Sequence, residues 1–300
     1  MMDSRLDHAP RFVLGGATPE PIAAGGPIHR AVTFLVESGA WVSLVVVALG
    51  AWASLATRDA IDWTGLTALG LFLFAIFGLD RFFDHPEDRH DRVVDIDPAA
   101  FVRRHRGAFG AALLAASAAL VALVALDRRL VLALAIAFGS SIFYMIRVPV
   151  LGKRLKELPF FKNIYAPAVL TTFTCSFLGL PFTRESGPVL AVVCFVIQIN
   201  NITFDMKDVE NDRRAGLRLI STTFSPRRVY AMLVGAALVG AALSPLALPR
   251  PWSIGAAAGF LALAGIVQRL SRRFSRRLLF VWCDGVLAVP LLVWAAGRLL

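Results

Sequence analysis

Apolar residues come in long runs along this chain, and polar residues are confined to short breaks between them. Helices that are hydrophobic on every side give this pattern, because half-buried helices and strands would alternate polar and apolar faces. A helix crosses the hydrocarbon of a bilayer with about 20 mostly apolar residues. Runs that reach or approach this length fall at 31–55, 60–80, 107–126, 130–147, 163–182, 187–206, 229–249, 252–268 and 278–298. The pattern predicts an all-α polytopic membrane protein of about nine transmembrane helices, forming one domain over 31–300. Residues 1–30 mix Gly, Pro, Asp, Arg and His without an apolar core. They read as a flexible cytoplasmic tail and lack the apolar stretch of a cleavable signal peptide.

Composition strengthens this reading. Hydrophobic residues make up 57% of the chain and charged residues 17%, against roughly 45–50% and about 25% in a soluble domain. A disordered chain, a coiled coil and an ordinary cytosolic domain are excluded. The net charge of +10 comes from basic clusters between apolar runs. There they meet lipid headgroups and set topology, and no basic face interleaved with base-stacking aromatics points to nucleic acid. With nine spans, 25 of the 31 Lys and Arg fall on the side of the N-terminal tail. That bias puts the tail and the 2–3, 4–5, 6–7 and 8–9 connections in the cytoplasm and the C-terminus outside. Arginine outnumbers lysine 27 to 4, a bias of GC-rich bacteria, so the expected location is a bacterial cytoplasmic (inner) membrane. Cys175, Cys194 and Cys283 lie in apolar runs without CxxC spacing and read as small hydrophobes. Nothing in the sequence calls for an obligatory protein partner.

The acidic residues are distributed unevenly. Eleven of the 21 lie in two cytoplasmic segments at the ends of spans 2 and 6. In the first, Asp80, Asp84 and Asp88 recur every fourth residue, and Pro86 interrupts the helix they would share. In the second, Asp205, Asp208 and Asp212 are spaced to share one helical face. Like charges at these spacings repel. Either the clusters are solvated loop ends neutralised by neighbouring arginines, or they share divalent cations. Mg²⁺ takes one or two carboxylates per site together with waters and substrate phosphates, so two facing acidic helix ends could hold a diphosphate. Between the clusters runs a basic connection that includes Tyr144, Arg147, Arg154, Lys156 and Lys162. It serves the positive-inside rule, and its cations could also meet phosphate oxygens.

These three segments together resemble the UbiA superfamily of intramembrane prenyltransferases. The run Asp205-Met-Lys-Asp208-Val-Glu-Asn-Asp212-Arg-Arg-Ala-Gly216 is similar to that family's second aspartate motif with its Arg-x-x-Gly, and Arg154-Leu-Lys156 to Lys162-Asn163 is similar to its 4–5 loop. The first motif departs, with Asp80 where the family usually has Asn. The resemblance implies a UbiA-like helical bundle over about residues 30–300 and a Mg²⁺-dependent transfer of a prenyl group from a prenyl diphosphate. In that scheme Asp84, Asp88, Asp208 and Asp212 are the catalytic metal ligands. Asp80, Asp205, Tyr144, Arg147, Arg154, Lys156, Lys162 and Asn201 line the substrate. The acceptor would be an aromatic or lipid molecule of the membrane, most often a quinone precursor, with tetrapyrroles and lipid alcohols as alternatives. Metal and basic residues would stabilise the departing diphosphate.

Two other readings stay open. A terpene cyclase of the same superfamily would ionise the diphosphate identically and trap the cation within the chain. A divalent-cation transporter would use the acids as an ion path, although such a path needs polar groups at mid-depth. Gln198, Asn200 and Asn201 suit interhelical hydrogen bonding as well as substrate contact. Glu37 and Asp284 are the acids set deepest in the predicted spans and should face protein or a cavity. His85, His90 and His105 flank the first cluster without zinc spacing. Gly216 reads as a turn residue.

Overall fold

The computed structural model describes residues 26–82, 98–145, 147–148, 153–155, 158–214, 216–272 and 278–299. The chain is a helical bundle. In order run α1 (Pro27–Ser38), α2 (Ala40–Arg58), α3 (Trp63–Phe82), α4 (Pro98–Arg104), α5 (Arg106–Leu126) and α6 (Arg129–Met145). A two-residue ribbon comes after α6, β1 (Arg147–Val148) antiparallel to β2 (Lys153–Arg154), with Arg147 opposite Arg154. Next come α7 (Phe161–Leu178), α8 (Gly187–Asp205), the short α9 (Val209–Arg214) and α10 (Ile220–Thr223), then α11 (Pro226–Ala247) and α12 (Trp252–Arg272). The chain closes with a π-helical segment Leu278–Cys283, a 3-10 turn Val286–Ala288 and α13 (Val289–Leu299).

Among the described residues, six helical stretches are long and apolar enough to span a membrane: Ala40–Arg58, Arg106–Leu126, Gly187–Asp205, Pro226–Ala247, Trp252–Arg272 and Leu279–Leu299. The apolar stretches Trp63–Leu79 and Arg129–Phe143 are shorter. The all-α polytopic architecture expected from the hydrophobic runs is therefore present. A helix satisfies its backbone N–H and C=O groups within its own segment, without water.

The core lies around α8, which packs against α2, α7, α11 and α12. Trp52, Phe177, Phe260, Leu73 and Ile199 are among its fully buried side chains. At the periphery the sequence is no less apolar, but only a stripe turns inward. Helix α5 buries Phe109, Leu113, Ala116 and Leu120, one helical face, and leaves Leu114, Val121 and Leu126 outward. Lipid is as apolar as leucine, so helices associate there through close packing of small residues. A Cβ on Gly240 of α11 would meet the Phe260 ring of α12 at 2.8 Å. Gly255 and Gly259, four apart on α12, let Pro290 of α13 approach. A Cβ on Gly255 would lie 2.7 Å from the Pro290 carbonyl.

Three expectations need correction. The first apolar run is not one helix, because Gly39 at φ 82° ends α1 in a left-handed turn. Glu37 accordingly sits in the last turn of α1, beside that break rather than deep in a span. The last run is not regular α-helix but passes through the π-helical and 3-10 segments. The third correction concerns α8: Asp205, Asp208 and Asp212 do not lie on one continuous helix.

The Gly39 turn is clamped from α3. Arg81 donates Nη1 to the Val36 carbonyl at 2.8 Å and to the Glu37 carbonyl at 2.9 Å. These are C-terminal carbonyls of α1, which have no partner within their own helix. A Cβ on Gly39 would lie 3.0 Å from Arg81 Nη1, so the glycine supplies both the positive φ and the room. Arg81→Ala and Gly39→Ala should each destabilise the protein by about 1–3 kcal/mol. In the double variant the losses should not add. Unfolding in a mixed-micelle titration measures all three.

At the other end of α3, Asp62 binds Arg129 at 2.7 Å and accepts the Gly65 amide N–H at 2.9 Å. Burial alone would raise the Asp62 carboxyl, but Arg129 and Gly65 outweigh it and hold it below the usual carboxylate value. A depressed carboxyl stabilises the fold above its unfolded pKa and loses that contribution as pH falls through the folded value. Wild type should lose more stability than Asp62→Asn between pH 6 and pH 3, read as the difference in unfolding midpoints.

Candidate active site at the end of helix α8

Helix α8 is apolar from Val189 to Ile197 and turns polar in its last turns. There it meets the start of α7. Asp205, its final residue, is 2% exposed. A carboxylate at that depth needs compensation, and α7 provides it from two consecutive residues. Lys162 Nζ lies 2.7 Å from Asp205 Oδ1, and Asn163 donates Nδ2 to Oδ2 at 2.7 Å. Asn163 is itself fully buried and accepts the Ile220 amide N–H of α10 on Oδ1 at 3.0 Å. One asparagine thereby joins α7, α8 and α10. The backbone adds a second tie, from the Phe160 N–H to the Arg218 carbonyl at 2.7 Å.

Beyond Asp205 the chain tightens. The amides of Met206, Lys207 and Asp208 bond to carbonyls three residues back, a 3-10-type turn that rotates the start of α9 relative to α8. Asp208 stands in this turn, half-buried, with Lys207 Nζ 2.6 Å from its Oδ2. Lys207 also sits 5.9 Å from the centre of the Phe280 ring. Helix α9 then carries Asp212, 9% exposed, whose buried Oδ2 has no hydrogen-bond partner among the described residues. Burial pushes the Asp212 carboxyl up to about 6. Lys162 and Lys207 act to lower it, and the charges of Asp205 and Asp208 to raise it. Gly216 closes the segment at φ 71°, a left-handed turn with open space where a Cβ would lie.

Four of the residues expected at the site, Asp205, Asp208, Asp212 and Lys162, converge at the α7–α8–α9 junction. Asp205 points to α7 and is taken by Lys162 and Asn163, so the three acids do not share one solvent face as their spacing predicts. Asn201 lies one turn before Asp205 on α8. Asp80 lies in the last turn of α3 and Tyr144 in that of α6. Arg147 and Arg154 face each other across the ribbon. Asp84, Asp88 and Lys156 lie outside the described residues, as do the tail residues 1–25. An open hollow of about 540 Å³ includes Arg213, Gly216, Arg218 and Phe160 in its lining and none of the expected site residues. Asn163 was not among those expected residues. Its signal in the sequence was its place at the end of the segment that resembles the family's 4–5 loop.

The sequence comparison decides the family at this point. The model of the UbiA prenyltransferase family matches residues 41–283. The chain belongs to the UbiA prenyltransferase family. No curated protein matches it in a sequence search. The matched span reaches from α2 into the π-helical segment and includes both aspartate segments and the basic connection. As a UbiA family member the chain is an integral membrane protein of a family of intramembrane prenyltransferases, whose enzymes generally use Mg²⁺ to bind prenyl diphosphate.

The site can be tested against that ion on its own donors. Among the described residues no three His, Cys, Asp or Glu side chains gather into a metal cage. Mg²⁺ does not need one, since one or two carboxylates suffice when waters and phosphates complete the shell. An unpaired, buried carboxylate oxygen on Asp212, next to Asp208, is a hard donor of the required kind. The residues present fit the ion.

Removing Lys162 leaves the Asp205 charge buried without its cation. Lys162→Ala should cost about 2–4 kcal/mol, somewhat less than for a fully buried pair, because Lys162 is 24% exposed. Adding Asp205→Asn should recover much of that loss. Chemical unfolding of the single and double variants checks the pair.

Proposed function

We propose that this UbiA family member is a Mg²⁺-dependent prenyltransferase that moves an isoprenyl group from a prenyl diphosphate to an aromatic or lipid acceptor. The observation that carries the reading is the unpaired, buried Asp212 oxygen beside Asp208 at the end of α8. Asp208 and Asp212 hold the metal from the α8–α9 side. Asp84 and Asp88 of the first aspartate motif would be its further ligands, with Asp80 in support. When bound, Mg²⁺ neutralises the diphosphate and supplies Lewis-acid assistance to its departure. Arg147, Arg154 and Lys156 meet the phosphate oxygens, arginine bidentately and lysine as a point charge. Lys162 is tied to Asp205, and its charge also acts on Asp212. It therefore sets the local field and holds the second motif in place. Tyr144 and Asn201 complete the substrate wall.

The prenyl chain is apolar and lies among the helices, opening to lipid. The domain is the bundle over 31–300, with residues 1–30 a cytoplasmic tail. The positive-inside bias supports a bacterial inner-membrane location with the site facing the cytoplasm and the C-terminus outside. A quinone precursor is the favoured acceptor.

The test uses the purified full chain, radiolabelled prenyl diphosphates of several lengths and a bacterial lipid extract as acceptor. Mg²⁺-dependent diphosphate release should disappear with EDTA. It should fall roughly 100- to 1000-fold in Asp208→Ala and Asp84→Ala, the scale of losing a preorganised electrostatic stabiliser. A labelled acceptor adduct marks a transferase, and a labelled cyclised chain marks a cyclase. No release from any donor, together with Mg²⁺ flux in liposomes, would overturn the reading.

A further inference from the structure

Helices α7 and α11 both pack on α8. Between the entry to α7 and the approach to α11 lies the hollow of about 540 Å³, with Phe160, Arg213, Gly216, Arg218, Thr222 and Thr223 in its lining. Among the described residues no Asp or Glu lines it. The acids nearest in sequence are engaged elsewhere. Glu210 binds Arg214 at 3.2 Å, and Asp212 is buried at the α7–α8–α9 junction. Arg213 and Arg218 are both exposed, and neither forms an ion pair among the described residues. Arg213 donates Nε to the Thr222 carbonyl across a long 3.4 Å, which leaves its Nη groups to meet a ligand.

The cations stand on a turn that is closed on itself. The Gly216 N–H bonds to the Arg213 carbonyl at 3.0 Å and the Leu217 N–H to the Asp212 carbonyl at 2.9 Å. The Thr222 hydroxyl accepts the Leu219 N–H and donates to the Leu217 carbonyl, both at 2.8 Å. The Arg218 carbonyl takes the Phe160 N–H. A frame fixed before binding reduces the ordering cost of any ligand. Arg227 and Arg228, exposed at the start of α11, add positive charge nearby. Below this basic rim the surface is apolar. Phe160 is 37% exposed, and Ile164, four residues on and on the same face of α7, is exposed as well. On α11, exposed Met232 and Val239 share a face with Arg228. Cations above outward apolar stripes complement an amphiphile with an anionic head.

We propose that this hollow binds the phosphodiester headgroup of an anionic membrane lipid. Arg213 and Arg218 meet the phosphate oxygens, for which the guanidinium fork is suited. Thr223 donates its hydroxyl to the headgroup, and the acyl chains follow the outward faces of α7 and α11. The inference does not depend on the prenyltransferase reading, because the hollow contains none of the residues assigned to metal or substrate. Bound there, the lipid steadies the turn that follows Asp212.

Native mass spectrometry of the purified full chain tests the site, with phosphatidylglycerol and phosphatidylcholine of matched chains. EDTA is present throughout, so that a Mg²⁺-dependent diphosphate site does not contribute. Wild type should prefer phosphatidylglycerol, and Arg213→Gln with Arg218→Gln should weaken its binding roughly 10- to 50-fold, the scale of two basic residues at a membrane surface. Binding of phosphatidylcholine should change less than about threefold. Arg269→Gln with Arg272→Gln removes the same charge from the exposed end of α12 and should change phosphatidylglycerol binding less than about threefold. Arg213→Lys with Arg218→Lys keeps the charge and should stay within about fivefold of wild type. Equal losses in the two glutamine pairs would mean diffuse surface charge, and a loss in the lysine pair as large as in the first glutamine pair would mean a damaged turn. Either overturns the proposal, as does unchanged phosphatidylglycerol binding in Arg213→Gln with Arg218→Gln. Inorganic phosphate and diphosphate form the last arm. If either displaces phosphatidylglycerol at equal concentration, the hollow is a site for free phosphate and the headgroup assignment fails.

Discussion

The Asp205 carboxylate, held between Lys162 and Asn163, is the interaction on which the rest of the site depends. It is 2% exposed at the end of a helix that is apolar from Val189 to Ile197. An uncompensated charge there would cost several kcal/mol. The two α7 residues answer both oxygens. Asn163 carries the connection on to the Ile220 amide, so the same residues that neutralise the charge fix α10, and with it the loop that returns from α9. Asp208 and Asp212 are therefore mounted on a junction of helix ends tied together by these contacts.

The bilayer explains why the junction sits where it does. In the hydrocarbon layer, helices gain little from burying one apolar surface against another, and small residues decide how closely they approach. Gly240 against Phe260, and Gly255 and Gly259 against Pro290, bring α11, α12 and α13 together in this way. Charges gather at the helix ends, where they meet water and headgroups. The Arg81 clamp on α1 and the Asp62–Arg129 pair close opposite ends of α3. Within the span, Asp284 is held by Asn200, which ties α8 to the segment after the π-helix.

This division sharpens the chemical picture. Along α8 and α9, the polar residues sort into those already satisfied and those still open among the described residues. Asn200 and Asp205 are used by the fold. Asn201 and Asp212 retain an unmet donor and an unmet acceptor.

Much of this was legible in the sequence. Continuous apolar runs of about twenty residues dictate helices, because a backbone in lipid must be satisfied internally and the strands of a closed barrel are shorter and alternate in polarity. The clustering of acids at the ends of spans 2 and 6 marked the candidate site, and the segment from Asp205 to Gly216 carried the family resemblance that the match over 41–283 bears out. The glycines four apart on α12 signal close helix packing, but they do not name Pro290 as the partner. Some features had no local signature at all. Spacing placed Asp205, Asp208 and Asp212 on one face, and only the tight turn after α8, with Lys162 and Asn163 pulling Asp205 aside, separated them. Nothing in the dipeptide Asn200-Asn201 distinguishes its members. The difference arises because Asp284 and Cys283, more than eighty residues away, reach one and not the other. Periodicity and hydropathy are local and so determine the elements. Which polar group finds a partner depends on distant segments meeting, and that only the tertiary structure decides.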